Sequence, residues 1–173
     1  VGPPLSRAAL CLPQQGNLYV CPQSIYKFHP EFDAILGEIL RRDPAGRLVL
    51  IRWAYAETDV LLIDRFRHAM PDVVDRVVFI PRLQQAQFLH LLAASDVLLD
   101  PIHFGGGLTG LEGLALGKPI VTWPSPFLRG RITAGLYAAM GVADCTAVDF
   151  RQYVDIAVRL GTDPDYRRAV QET

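Results

Sequence analysis

Residues 97–122 read VLLDPIHFGGGLTGLEGLALGKPIVT. The segment begins with a short apolar run that ends at Asp100, and three consecutive glycines follow soon after it. A helical pattern over residues 109–116 then leads to a second apolar run at residues 119–122. An apolar strand, a glycine-rich turn, a helix and another apolar strand together predict a βαβ unit, in which the two strands are parallel.

The same alternation of strand and helix continues on both sides of this segment. On the N-terminal side, the pattern predicts strands at residues 18–21, 48–51 and 77–80, and helices at residues 32–43, 59–69 and 84–94. On the C-terminal side, it predicts a helix at residues 129–140, a short apolar segment at residues 144–148 and a final helix from residue 150. The strands are continuous apolar runs, which are typical of parallel strands covered by helices on both faces.

The fold class expected from this pattern is α/β, with a doubly wound, Rossmann-like parallel sheet over residues 18–173. Residues 1–17 contain three of the 13 prolines and show no clear period, so they are interpreted as a linker or crossing segment. The chain begins at Val1 without an initiator Met, and we interpret it as a piece cut from a longer polypeptide.

Composition narrows the class of protein. Half of the residues are hydrophobic, and 17 basic residues nearly balance 18 acidic ones, so nothing indicates a nucleic-acid-binding surface. Three scattered cysteines are too few for a disulfide framework and fit a reducing cytosol. No apolar run reaches the roughly 18 residues of a membrane span. We therefore expect a cytoplasmic domain with no membrane span and no nucleic-acid partner.

The glycine-rich turn is the strongest candidate for a binding site, because ligands of doubly wound sheets lie beyond the carboxyl ends of the strands. Gly105, Gly106 and Gly107 let the backbone approach a ligand closely and adopt positive φ. The helix that follows would offer free N–H groups to a diphosphate. Thr109 could donate its hydroxyl to a phosphate, and Glu112 could accept hydrogen bonds from a ribose. Alternatively, Thr109 caps the helix and Glu112 completes a capping box.

A second candidate turn follows the first predicted strand. Lys27 could reach a phosphate as a point charge, and Gln23 or Ser24 could supply hydrogen bonds. The alternative is a solvated loop lysine. Binding is favoured because the turns after strands one and four can converge at one crevice of a doubly wound sheet.

The four histidines are weaker candidates for a catalytic or metal-binding role. His103 is a candidate catalytic base, although a histidine that is hydrogen-bonded to backbone at a strand end is more usual. His29, His68 and His90 are scattered without the spacing of metal ligands, so the sequence indicates no metal site.

Three segments of the chain resemble a known family. They are HFGGGLTGLEGLALGKPIVTWP (residues 103–124), CPQSIYKFHPEFD (residues 21–33) and YVDIAVRLGTDPDYRR (residues 153–168). Together they resemble the C-terminal catalytic half of the bacterial O-linked N-acetylglucosamine transferases, which tetratricopeptide repeats often precede. The resemblance implies one half of a GT-B fold, with the active site between two Rossmann-like domains. It also implies inverting transfer of a sugar from UDP to a protein Ser or Thr, without a metal cofactor. The implied partners are a UDP-sugar, the N-terminal catalytic half, a repeat domain and a protein acceptor.

The resemblance also implies roles for individual residues. Lys27 matches a lysine that contacts the diphosphate, and Thr109 matches a threonine of the phosphate loop. Glu112 matches an acidic residue that binds ribose, and Phe88 falls where a side chain packs against uridine. In this interpretation Lys27 and the backbone amides from Gly106 to Gly110 stabilise the departing UDP.

Three residues depart from the family pattern. Gly107 and Leu108 replace a histidine and a threonine, and Leu108 cannot donate a hydrogen bond to a phosphate. Phe104 is bulkier than the family residue near the N-acetyl group, so the donated sugar is N-acetylglucosamine or another hexose. The main hypothesis is the donor-binding half of an O-glycosyltransferase, inactive in isolation. The alternatives are a non-catalytic nucleotide-sugar-binding or scaffold domain, and a different GT-B enzyme such as a sugar-nucleotide epimerase or a lipid-sugar transferase.

Overall fold

Five parallel strands form one sheet in the computed structural model, which describes residues 5–173. The strands are β1 (Leu18–Cys21), β2 (Arg47–Ile51), β3 (Val77–Ile80), β4 (Val97–Leu99) and β5 (Ile120–Val121). Their order in the sheet is β3-β2-β1-β4-β5. All five predicted strands are therefore present, and all pair in parallel.

Helices follow the strands in the predicted alternation. They are α1 (Pro30–Arg42), α2 (Ala56–Ala69), α3 (Gln85–Ala94), α4 (Leu108–Ala115), α5 (Ile132–Met140), α6 (Phe150–Thr162) and α7 (Pro164–Glu172). Short 3-10 turns at Ile25–Lys27, Val74–Arg76 and Leu128–Gly130 precede α1, β3 and α5. The predicted apolar segment at residues 144–148 forms only an isolated bridge, between Thr122 and Thr146.

The C-terminal region differs from the prediction, because the single helix expected from residue 150 is two helices. Pro164 has no N–H and cannot continue α6, but it suits the first position of a new helix. The Asp163 carboxylate accepts hydrogen bonds from the N–H groups of Asp165 and Tyr166 at 3.1 and 2.9 Å. A proline and an N-cap therefore separate α6 from α7.

The core lies on both faces of the sheet, as the apolar runs predicted. Every residue of β1 is buried, and α1 buries its apolar stripe from Phe32 to Leu40. Within the predicted linker, Leu10 and Leu12 are buried in the same core. Residues 1–4 of that linker lie outside the described residues.

The reversal of strand order between β1 and β4 creates the crevice expected of a doubly wound sheet. The chain proceeds from β1 through β2 to β3 on one side, and β4 and β5 lie on the other. The carboxyl ends of β1 and β4 are therefore neighbours, and the turns that follow them meet. Tyr153 of α6 holds this point, because its hydroxyl bonds both the N–H and the C=O of Asp100 at 3.0 Å.

Candidate functional site

The turns after β1 and β4 are joined by side-chain hydrogen bonds at the crevice. The Lys27 ammonium donates to the carbonyl of Gly105 at 3.1 Å and to Gln23 Oε1 at 2.8 Å. Gln23 in turn donates from Nε2 to Thr109 Oγ1 at 2.5 Å. The predicted convergence of the two turns is confirmed, and Lys27 is not a solvated loop residue.

Burial and a neighbouring ring shape the environment of Lys27. Its ammonium lies 4.5 Å from the centroid of the Phe104 ring, which is a cation–π contact. Desolvation lowers the pKa of Lys27 below its usual value, and the Asp100 carboxylate opposes that shift. A partly desolvated cation without a tight carboxylate partner is suited to attract an anionic ligand.

The buried Asp100 holds the glycine turn in place through a hydrogen bond to its backbone. The sequence did not lead us to predict this role. It is 3% exposed, and its Oδ1 accepts a hydrogen bond from the Gly106 N–H at 2.6 Å. Its Oδ2 accepts a hydrogen bond from the Thr122 hydroxyl at 2.9 Å. Burial raises the pKa of Asp100, and the hydrogen bond from Gly106 acts in the opposite direction. An aspartate between an apolar strand and a glycine-rich turn was the available signal.

Space limits the side chain at two of the three glycines of the turn. A Cβ at Gly105 would lie 2.6 Å from Asp100 Oδ2, and a Cβ at Gly106 would lie 2.6 Å from Gln23 Nε2. At Gly107 a Cβ would meet no atom within 4 Å. The expectation of positive φ is wrong, because the glycines with positive φ in residues 5–173 are Gly16, Gly117 and Gly141.

Helix α4 begins without a side-chain cap. Gly107 is the N-cap residue, and no side chain accepts a hydrogen bond from the first turn. Thr109 lies inside the helix, and Glu112 instead accepts a hydrogen bond from Gln85 Nε2 at 2.5 Å. The capping-box alternative is therefore wrong. A helix start with unsatisfied N–H groups and the positive end of its dipole suits an anion.

A cavity of about 110 Å³ opens beside the turn that follows β1. Its lining contains Gln23 and Ser24 from the first turn, Trp53 after β2 and Phe88 on α3. The predicted residues Ser24 and Phe88 thus lie at one cavity, with an aromatic ring and polar groups at its edge. Aromatic faces and a few polar groups are the usual lining of a nucleobase pocket.

The histidines are arranged differently from the expectation. The Nε2 of His103 lies 2.8 Å from Glu31 Oε2, in a hydrogen bond to a carboxylate and not to backbone. The rings of His29 and His103 meet edge to face with centroids 4.7 Å apart. His29 is therefore not isolated, whereas His68 lies on α2 and His90 is buried on α3.

Sequence comparisons identify relatives over nearly the whole chain. The model of glycosyl transferase family 41 matches residues 5–173. A UDP-N-acetylglucosamine--peptide N-acetylglucosaminyltransferase of Caenorhabditis elegans is 30% identical over 163 residues, covering 93% of this chain and 14% of that protein. A Giardia intestinalis protein of the same name is 25% identical, covering 96% of this chain and 11% of that protein. The chain thus spans a small part of the length of these relatives.

Solved structures agree with these matches. A mutant O-GlcNAc transferase of Thermobaculum terrenum superposes with a TM-score of 0.83 at 25% identity, covering 91% of this chain and 30% of that chain. A UDP-GlcNAc 2-epimerase of Neisseria meningitidis superposes with a TM-score of 0.68 at 14% identity, covering 96% and 42% of the two chains, and shares the fold alone. The doubly wound α/β fold and the resemblance to the C-terminal GT-B half of O-GlcNAc transferases are confirmed. None of the helices in residues 5–173 has the length and apolar character to span a membrane.

Proposed function

The chain belongs to glycosyl transferase family 41, and we propose that it is the donor-binding part of a UDP-sugar:protein O-glycosyltransferase. The observation that carries this proposal is the meeting of Lys27 with the uncapped start of α4. A cation and a set of free helix N–H groups face the same crevice, which is the chemistry that a diphosphate requires.

The diphosphate would lie between the two joined turns. Lys27 contributes charge, the amides of Gly107, Leu108 and Thr109 contribute N–H donors, and Thr109 also contributes a hydroxyl. The Gly106 and Gly110 amides are already bonded, to Asp100 and to the Gly107 carbonyl. Gln23 already bonds Thr109 Oγ1, so its amide can orient that hydroxyl or exchange it for a phosphate oxygen. The buried Asp100 keeps the turn in this shape.

The nucleoside would occupy the cavity beside the turn. Phe88 and Trp53 offer aromatic faces for a uracil ring, and the Ser24 hydroxyl lies in the same lining. Glu112 is half-buried one turn into α4, where its carboxylate can accept hydrogen bonds from ribose hydroxyls in place of Gln85. These residues are the proposed uridine contacts.

The proposed reaction is a direct displacement with inversion at the anomeric carbon. A bond forms from the acceptor Ser or Thr oxygen to that carbon while the bond to the UDP phosphate oxygen breaks, and the proton of the acceptor hydroxyl is released to solvent. Lys27 and the helix amides stabilise the charge that develops on UDP, so the reaction needs no metal cofactor. His103 is not assigned the role of base, since its Nε2 is directed to Glu31.

The donor sugar would lie at the rim of the crevice. Phe104 is 38% exposed there, and its ring contacts the Lys27 ammonium. Leu108 is 70% exposed at the start of α4. N-acetylglucosamine and another hexose both remain candidate donors. The proposed partners are a second Rossmann-like domain that faces this one across the GT-B cleft, tetratricopeptide repeats and a protein acceptor. The proposed location is the cytoplasm, where free thiols such as those of Cys21 and Cys145 stay reduced.

One observation favours a second function, a non-catalytic nucleotide-sugar-binding or scaffold domain. Leu108 lies at the start of α4, beside the proposed phosphate site, and has no hydroxyl that could donate a hydrogen bond to a phosphate. Calorimetric titration with UDP and several UDP-sugars, with and without EDTA, tests the main proposal. Saturable binding that EDTA leaves unchanged is expected. Binding that disappears with EDTA and returns with Mg²⁺ would contradict the metal-free account, and the absence of any UDP binding would contradict the donor-site proposal.

A further inference from the structure

Two histidines and a glutamate form a cluster at the mouth of the crevice that the proposed transfer reaction does not use. His29 is the N-cap of α1, Glu31 lies in the first turn of α1, and His103 follows β4. One potential ligand atom from each side chain lies within 4.8 Å of the other two. From this geometry we infer that the three side chains form a binding site for Zn²⁺ or a similar transition-metal ion.

The distances match the dimensions of a zinc site. Zinc lies about 2.0–2.2 Å from imidazole nitrogen and carboxylate oxygen, so tetrahedral ligand atoms are about 3.4 Å apart. The separation from Glu31 Oε2 is 2.8 Å to His103 Nε2 and 3.8 Å to His29 Nδ1, which brackets that value. His29 and Glu31 are exposed, so surrounding side chains do not fix their rotamers before an ion binds.

The ligand types of the cluster favour a transition metal. A bound ion would replace two hydrogen bonds, the one that His29 Nδ1 accepts from the Glu31 N–H at 3.3 Å and the one that joins His103 Nε2 to Glu31 Oε2. Two imidazoles and one carboxylate are a common zinc ligand set, whereas Mg²⁺ and Ca²⁺ prefer oxygen ligands alone.

The fourth coordination position has space beside it. A cavity of about 160 Å³ is lined by Glu31 and His103 together with Trp123 and Ser125. The Ser125 hydroxyl is buried without a hydrogen-bond partner in the described part of the chain. A water or another small ligand on the metal would therefore find an unused polar group in this cavity.

This site is separate from the proposed UDP site, so its existence does not depend on the proposed function. A metal there would tie the N-terminus of α1 to the loop between β4 and α4, and His103 is two residues from Gly105. The ion would therefore restrain the glycine turn without contacting the phosphates of UDP.

Calorimetric titration of the full 173-residue chain with Zn²⁺ tests the inference. The chain should carry no histidine tag and should contain Cys11→Ser, because Cys11 is an exposed thiol and cysteine sulfur is a zinc ligand. We expect one equivalent of Zn²⁺ to bind, and Mg²⁺ not to compete. When Co²⁺ replaces Zn²⁺, the bound Co²⁺ should show the visible absorption bands of a four-coordinate site.

Two variants remove a ligand while keeping the local structure. His103→Gln retains a donor for Glu31, and His29→Ser retains an N-cap acceptor for α1. Each should weaken Zn²⁺ binding at least about tenfold and abolish the Co²⁺ bands, because losing even a residue that only hydrogen-bonds a metal ligand costs about 10- to 100-fold in metal affinity. His68→Ala, an exposed histidine on α2, is the matched control and should bind as the parent does.

Circular dichroism verifies that each variant is folded. The inference is overturned if the parent shows no saturable Zn²⁺ binding. It is equally overturned if folded His103→Gln and His29→Ser chains bind Zn²⁺ as tightly as His68→Ala. Neither result bears on UDP affinity, which is measured separately with EDTA present.

Discussion

Replacing Lys27 by alanine is the perturbation that most strongly affects the proposed diphosphate site. The ammonium is half-buried, bonds Gln23 and the Gly105 carbonyl, and contacts the Phe104 ring. A hydrogen bond to a charged group contributes about 1.5–3 kcal/mol. UDP affinity should therefore fall by about 10- to 150-fold, since 1.4 kcal/mol corresponds to a factor of ten.

Calorimetry with UDP measures the loss, and Lys118→Ala provides the matched control. Lys27 and Lys118 are the two lysines of the chain, and burial lowers the pKa of both. Lys118 donates a hydrogen bond to the Ser95 carbonyl at 3.1 Å, at the amino ends of β4 and β5 and therefore at the end of the sheet opposite the crevice. Lys118→Ala should leave UDP affinity unchanged. If a folded Lys27→Ala chain binds UDP as tightly as the parent, the assignment of Lys27 to the diphosphate is refuted.

The same lysine predicts a pH dependence of binding. Desolvation lowers the pKa of Lys27 below its usual 10.5, so the ammonium loses its proton at a lower pH than a solvated lysine. Above the pH at which the terminal phosphate of UDP is fully ionised, UDP affinity should be constant while Lys27 is protonated and should fall as pH rises through this lowered pKa. The decrease should be smaller in Lys27→Ala, which lacks the ammonium. Identical pH profiles would contradict the role of the ammonium.

Three further predictions concern the glycine turn and the chain as a whole. Leu108→Thr should strengthen UDP binding in calorimetry, because it adds a hydroxyl at the uncapped start of α4, and weaker binding would indicate a different path of the ligand. Gly105→Ala should lower the free energy of unfolding by about 1–3 kcal/mol in urea titrations, because its Cβ would press on the buried Asp100; an unchanged free energy of unfolding would contradict the close contact. The chain alone should bind the UDP-sugar but glycosylate no peptide, because its one sheet provides only one side of the cleft. Holding the acceptor in line with the anomeric carbon can lower the activation barrier by about 7–11 kcal/mol, and one side of the cleft does not provide it. Peptide glycosylation at the rate of an intact transferase would contradict this prediction.

The central features of the fold follow from the sequence because they depend on periodicity. The apolar runs of β1 and β4 predicted buried parallel strands, and the parallel arrangement places their carboxyl ends side by side. The meeting of Lys27 with the glycine turn is a consequence of that topology. The resemblance to the glycosyltransferase family added chemical roles that periodicity does not encode.

Other features depend on the detailed path of loops. His29 and His103 are 74 positions apart, and only the conformations of two turns bring them to Glu31. Likewise, the anchoring role of Asp100 depends on how its carboxylate is directed under Gly106, a detail that apolar patterning does not specify.

The capping signature was misleading for a related reason. Thr109 and Glu112 have the spacing of a capping box, but α4 begins at Leu108 and places Thr109 inside the helix. Sequence patterns locate helix ends only to within a few residues, and a shift of this size moves a residue from a cap to an interior position.

A crystal structure of the chain with bound UDP tests the central claim most directly. The account predicts the diphosphate at the start of α4, with a phosphate oxygen within hydrogen-bond distance of Lys27 Nζ and of the amides from Gly107 to Thr109. It also predicts the uracil in the cavity beside Phe88. UDP bound at another edge of the sheet, or with its phosphates away from Lys27 and α4, would contradict the account.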